Sequence, residues 1–131
     1  EGNGIYLSDD EKTIRKKVMK AVTDSGPTEP HSPMPESIQN IFTLLEIVST
    51  PDTVEYFRDK YNSCEIRYGD LKKQLAEDIC KITLPIRDRI IELTADTQYL
   101  GKVVREGAVR ARESAAETLG EVRKAVGFRP F

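Results

Sequence analysis

Between Leu71 and Leu93 an apolar residue returns every three or four positions: Leu71, Leu75, Ile79, Ile82, Ile86, Ile90 and Leu93. That rhythm places all seven on one side of an α-helix and cannot be laid along one face of a strand. An amphipathic helix of this length gains its stability from packing its apolar side against something else. The rest of the chain is therefore expected to supply helices that cover this stripe. Pro85 falls inside it; the ring displaces the carbonyl of Lys81 and removes one N–H donor, so a kink is expected there.

The other segments keep the same period, and no sustained strand-like alternation interrupts it. A first helix is expected to begin at Ser8, which with Glu11 forms an S-x-x-E capping box, followed by an apolar side of Ile14, Val18, Ala21 and Val22 and a basic side of Arg15, Lys16, Lys17 and Lys20. Thr23-Asp24-Ser25-Gly26-Pro27 ends it. The stretch "GPTEPHSPMP" has four prolines in ten residues and reads as a loop. The single histidine, His31, lies there without ligand-spaced neighbours and reads as a surface residue. Pro35 opens a second helix carrying Ile38, Ile41, Phe42, Leu45 and Val48. Thr50 caps a third, with Pro51 at its first position and Val54, Phe57 and Tyr61 inward. After the striped helix, expected over about Asp70 to Leu93, Asp96 caps a last long helix that Gly127 terminates. Its inner stripe is Leu100, Val104, Gly107, Ala108, Ala111, Ala115, Leu119, Val122 and Val126, small enough for another backbone to approach. The expected fold is all-α: an antiparallel helical bundle of about five helices, two of them long.

Composition narrows function mainly by exclusion. The chain has 131 residues, enough for one domain, with 32% charged and 38% apolar residues. Twenty Lys and Arg against 22 Asp and Glu exclude a polybasic nucleic-acid binder but allow a local basic patch. That patch is expected in the last third, where nine basic residues meet seven acids from Pro85 onward. Cys64 and Cys80 have no CxxC spacing, no apolar run approaches 18 residues, and a reducing cytoplasm is the expected compartment. Cys80 falls beside the apolar stripe and reads as a core residue. No Ser/His/Asp or Cys/His set, Walker A loop or metal-ligand cluster is present, and Glu113 with Glu117 reads as surface charge. The opening "EGNG" alone is weak evidence for a phosphate-cradling loop.

A resemblance adds what composition does not. "YLSDDEKTIRKKVMKAVTDS", "YGDLKKQLAEDI", "LPIRDRIIEL" and "REGAVRARESAAETLGEVRKAVGF" together resemble the carboxy-terminal part of bacterial tryptophanyl-tRNA synthetases, class I enzymes, over nearly the whole chain. The resemblance implies that Glu1, Gly2, Asn3 and Gly4 are the tail of the ATP-handling KMSKS loop, with a Rossmann-type catalytic domain ahead of Glu1. Residues 1–26 would be a connector, 27–35 the proline-rich loop, and 36–131 a helical domain receiving the anticodon region of tRNA(Trp). Neither the KMSKS nor the HIGH signature lies within the 131 residues, so no catalytic residue is expected here and the chain alone should be inactive. The whole enzyme would use ATP with magnesium, form a homodimer, and bind neither membrane nor DNA. Recurrent "TDS", here Thr23-Asp24-Ser25, reads as structural. Charge placement, with no family motif behind it, nominates Arg87, Arg89, Lys102, Arg105, Arg110 and Arg112 as tRNA contacts through phosphates and splayed bases. Two alternatives stay open: a tyrosyl-type synthetase, whose bacterial members carry a further RNA-binding domain for which "GFRPF" leaves no room, and a free-standing helical interaction module.

Overall fold

A computed structural model describes residues 4–127 of the chain. It contains five α-helices in the order α1 (Glu11–Met19), α2 (Glu36–Val48), α3 (Pro51–Asn62), α4 (Tyr68–Ala95) and α5 (Thr97–Ala125), and no strand among the described residues. The chain divides into two compact units, Glu1–Arg89 and Ile90–Phe131.

The first unit has one core. Leu71, Leu75, Ala76, Ile79 and Cys80 of α4 are buried together with Ile14 and Val18 of α1, Ile38, Ile41, Phe42 and Leu45 of α2, and Phe57 and Tyr61 of α3. Each fully buried large side chain contributes about 1.5–3 kcal/mol of transfer free energy. Phe42 and Tyr61 meet edge to face, with centroids 6.5 Å apart and planes at 82°. Apart from Ala76, these are positions that the sequence reading places inward. Cys80 is a free, buried thiol, and burial raises its pKa.

Caps decide where the helices begin. Thr50 accepts from the Thr53 amide and Pro51 occupies the first helical position of α3, as expected. The first helix differs from the expected capping box. Asp10, not Ser8, is the N-cap, its carboxylate accepting the Thr13 amide at 2.8 Å. Two aspartates follow Ser8, and a carboxylate at the positive helix end is at least as good a cap as a hydroxyl. The box therefore does not form: Glu11 sits inside the first turn and pairs with Arg15 at 2.8 Å. Val22, beyond the end of α1 at Met19, is also outside the core and 77% exposed.

The proline-rich segment is tied to the end of α3. The His31 amide donates to the Asn62 carbonyl at 3.2 Å, and the Tyr61 hydroxyl to the Pro33 carbonyl at 3.4 Å. His31 itself is exposed. Two buried polar side chains of α4 complete the unit. Asp78 accepts from Ser49 Oγ at 2.7 Å, Gln74 Nε2 at 2.9 Å and Lys81 Nζ at 2.7 Å. Lys72 donates to the Ala21 carbonyl at 2.7 Å and the Thr23 hydroxyl at 3.1 Å.

Burial along α4 is uneven. Leu71, Leu75 and Ile79 are almost fully covered, whereas Ile82, Ile86 and Ile90 are 46%, 40% and 38% exposed. Pro85 lies inside the helix without ending it. In the second unit, α5 starts on the Asp96 carboxylate, which accepts the Tyr99 amide at 2.8 Å, and stops before Gly127, whose φ of 77° closes the C-terminus. No residue of α5 is buried. The stripe of small and apolar residues that reads as an inner face is exposed from Leu100 to Val126, Ala108 alone being half-buried. Period identifies one side of a helix; it does not supply the partner that would cover that side.

Asp78 makes a direct test of this packing. Burial raises its pKa, but the three donors outweigh that and hold it below the ordinary 3.8. Its contribution is thus present in full above 3.8 and disappears as pH falls through the lower folded-state value. Asp78→Ala is expected to cost about 2 kcal/mol in urea unfolding at pH 7. The deficit relative to the parent should vanish in acid below that range.

Candidate functional site

Of the loop remnant Glu1, Gly2, Asn3 and Gly4, only Gly4 falls within the described residues. Its carbonyl is held by Lys17 of α1, whose Nζ donates to it at 2.8 Å. The same ammonium donates to Asp9 Oδ2 at 2.6 Å and lies 4.7 Å from the centroid of the Tyr6 ring. Asp9 Oδ2 also accepts the Tyr6 amide at 2.9 Å, and the Asp9 amide returns to the Tyr6 carbonyl at 3.0 Å. The Lys17 and Asp9 side chains are only 23% and 14% exposed. The hydrogen bond from Lys17, then that from the Tyr6 amide, lowers the Asp9 pKa against the opposing effect of burial. The sequence places Lys17 on the basic side of α1; the available signal was an aspartate and a tyrosine just ahead of the helix start, within reach of a long side chain on α1.

The six basic candidates divide between the two units. Arg87 closes on the amino-terminal segment: its Nε donates to the Ser8 carbonyl at 3.3 Å, and its guanidinium lies 3.8 Å from Asp88. It is a tie within the fold rather than an open cation. Arg89 is exposed on α4. In the second unit, Lys102 stands 3.8 Å from Glu106. Arg105 and Arg112, seven residues apart, lie on nearly the same side of α5, whereas Arg110 points roughly 140° away from Arg105. α5 thus brings Arg105 and Arg112 together, and it excludes Arg110 from their face.

At the start of α5 a depression of about 540 Å³ is lined by Asp96, whose carboxylate caps the helix, and by Thr97, Gln98, Tyr99, Gly101, Lys102 and Arg105. Tyr99 is 47% exposed. An aromatic face beside a guanidinium and an ammonium can stack a nucleobase and meet its phosphate. Tyr99 is the residue that charge counting missed; an aromatic between a helix cap and two cations was the available signal.

Thr23-Asp24-Ser25 serves the fold. Thr23 accepts from buried Lys72, and Asp24 Oδ1 accepts the Gly26 amide at 2.8 Å, fixing a turn in which Gly26 takes φ 98°. Burial, reinforced by the neighbouring Asp24 carboxylate, raises the Tyr68 hydroxyl pKa. No group of three or more His, Cys, Asp or Glu able to hold a metal ion occurs among the described residues. No described helix is long and apolar enough to cross a membrane.

With helices and basic face defined, comparison with known proteins assigns the class. The family model for tRNA synthetases class I (W and Y) matches residues 1–83, and the chain belongs to that family. Within it, the resemblance is to tryptophan–tRNA ligases. That of Porphyromonas gingivalis is 63% identical over 129 residues, covering 98% of this chain and 39% of the relative. Tryptophan–tRNA ligase 1 of Streptomyces coelicolor is 39% identical over 128 residues, covering 96% and 36%. The crystal structure of tryptophanyl-tRNA synthetase from Campylobacter jejuni, complexed with ADP and tryptophan, superposes with a TM-score of 0.75 at 25% identity, covering 92% of this chain and 37% of that one. The chain therefore spans somewhat more than a third of the length of these relatives.

The Lys17–Asp9 contact yields a titration. Because the folded-state pKa of Asp9 is lowered, the contact is intact above 3.8 and is released as pH falls through the lower folded value. The ¹³C shift of the Asp9 carboxyl should titrate with a midpoint below 3.8, moving back toward that value in Lys17→Met.

Proposed function

We propose that this chain is the helical, tRNA-facing part of a tryptophan–tRNA ligase and carries no bond-making residue of its own. The observation that supports the reading most directly is 63% identity to such a ligase along 98% of the chain. In this reading residues 1–26 connect to a catalytic domain ahead of Glu1, 27–35 form the proline-rich loop, and 36–131 receive the anticodon region of tRNA(Trp). The whole enzyme activates tryptophan with ATP and magnesium, transfers it to tRNA, acts as a homodimer and works in the cytoplasm. Of the ATP-loop remnant the structure describes Gly4 alone, and no step of the chemistry is assigned to it.

RNA would meet the second unit. Anticodon bases are single-stranded and are read by stacking and edge hydrogen bonds, with phosphates neutralised by Lys and Arg. Tyr99, Lys102 and Arg105 line one depression and offer both kinds of contact. Arg112 extends the cationic line along α5, and Arg89 and Arg110 are retained as outlying contacts. Arg87, engaged with Ser8, would act indirectly by holding α4 to the amino-terminal segment.

Two measurements test this. In the full-length protein, Lys102→Glu with Arg105→Glu should lower kcat/KM for tRNA charging about 10- to 100-fold, as two phosphate-facing cations become carboxylates. Tryptophan-dependent ATP–pyrophosphate exchange, which uses no tRNA, should keep its rate. The 131-residue chain alone should show neither exchange nor charging, and measurable exchange by it would refute the assignment of chemistry to the missing part.

A further inference from the structure

We propose that Lys17 is a positioning residue for nucleotide activation: it fastens the tail of the ATP-handling loop, at Gly4, to α1. The proposal rests on the functional reading above and adds to it a residue outside the signature motifs.

Three features separate Lys17 from its neighbours. Lys12, Lys16 and Lys20 of the same segment are exposed, whereas Lys17 is largely covered. A lysine side chain loses more rotamer freedom than most when it is fixed, so a fixed one must be held by strong contacts. Its ammonium meets a backbone carbonyl, a carboxylate and an aromatic face at once. All three partners, Gly4, Asp9 and Tyr6, belong to one short segment ahead of α1. The Tyr6 and Asp9 amides close that segment into a turn. Arg87 then joins the Ser8 carbonyl to α4. Residues 4–9 are thus bound to two helices of the first unit, and Gly4 is a fixed point.

Cations stabilise charge on a leaving pyrophosphate only if they are held where that charge develops. Displacing such a group by about 1 Å can cost on the order of a hundredfold in rate. Releasing Gly4 loosens this attachment without touching substrate, so the loss should fall on the ATP-dependent step.

The test uses full-length protein and tryptophan-dependent ATP–pyrophosphate exchange. Lys17→Met keeps the apolar stem over Tyr6 and removes every donor; Lys17→Arg keeps charge and donors; Asp9→Asn attacks the clamp from the other side. Lys17→Met should lower exchange kcat, or raise KM for ATP, about tenfold, with KM for tryptophan within about twofold. Asp9→Asn should move the same parameter in the same direction, and Lys17→Arg should restore most of it. Hydrogen exchange of the Tyr6 amide reports the clamp independently of activity and should quicken in Lys17→Met. Faster amide exchange with unchanged kinetics would overturn the positioning role alone. An unchanged amide would overturn the clamp itself. A parent protein lacking tryptophan-dependent exchange would refute the functional reading, and this proposal with it.

Discussion

The first unit depends on covering one side of the first half of α4. Leu71, Leu75, Ala76 and Ile79 form a continuous apolar strip, and α1, α2 and α3 each contribute the side chains that exclude water from it. None of those three helices exceeds 13 residues. Helices so short are marginal alone, and the shared core is what stabilises them. Elements distant in sequence therefore settle in one place because a single surface has to be dried.

Polar groups set the register that a greasy strip leaves loose. Apolar contacts tolerate sliding, whereas a buried carboxylate with three donors is satisfied in one arrangement only. Asp78 links the C-terminus of α2, through Ser49, to α4. Lys72 links the exit from α1, through the Ala21 carbonyl and Thr23, to the turn of α4 nearer its start. Both lie on the same helix, six residues apart, so α4 is indexed against two incoming segments. The Thr23-Asp24-Ser25 turn is held by these same contacts, which accounts for a polar tripeptide at a position with no chemistry of its own.

Most of the helical framework was legible from spacing and punctuation. Pro51 behind Thr50 fixed the start of α3, and Ile38, Ile41, Phe42 and Leu45 were found by period alone. The first helix was misread at its start because Ser8, Asp9 and Asp10 are all competent caps, and only the geometry of Thr13 decides among them. The outward half of α4 and the whole of α5 show a different limit. Periodicity distinguishes the faces of a helix but carries no information about what lies opposite, so Ile82 and Val104 look as internal as Ile79. At the candidate site, counting charges found Lys102 and Arg105 but could not tell an engaged Arg87 from an open one. Lys17 escaped because counting charges does not show that its ammonium joins the Asp9 carboxylate to two uncharged partners, the Gly4 carbonyl and the Tyr6 ring.

The proline-rich segment has a consequence that its contacts do not reveal. Residues 27–35 touch the end of α3 through two long hydrogen bonds, at 3.2 and 3.4 Å, and are held more firmly at Met34, which packs on the core and whose carbonyl accepts from Gln39 Nε2 at 2.9 Å. Pro27, Pro30, Pro33 and Pro35 have φ restricted before folding begins, so little conformational freedom remains to be surrendered when the chain closes. At about 0.4–1 kcal/mol for each well-placed proline, the stiffness of the unfolded chain adds to what the folded contacts supply. The route from α1 to α2 is held in advance by covalent rings, and the short helices on either side inherit that order.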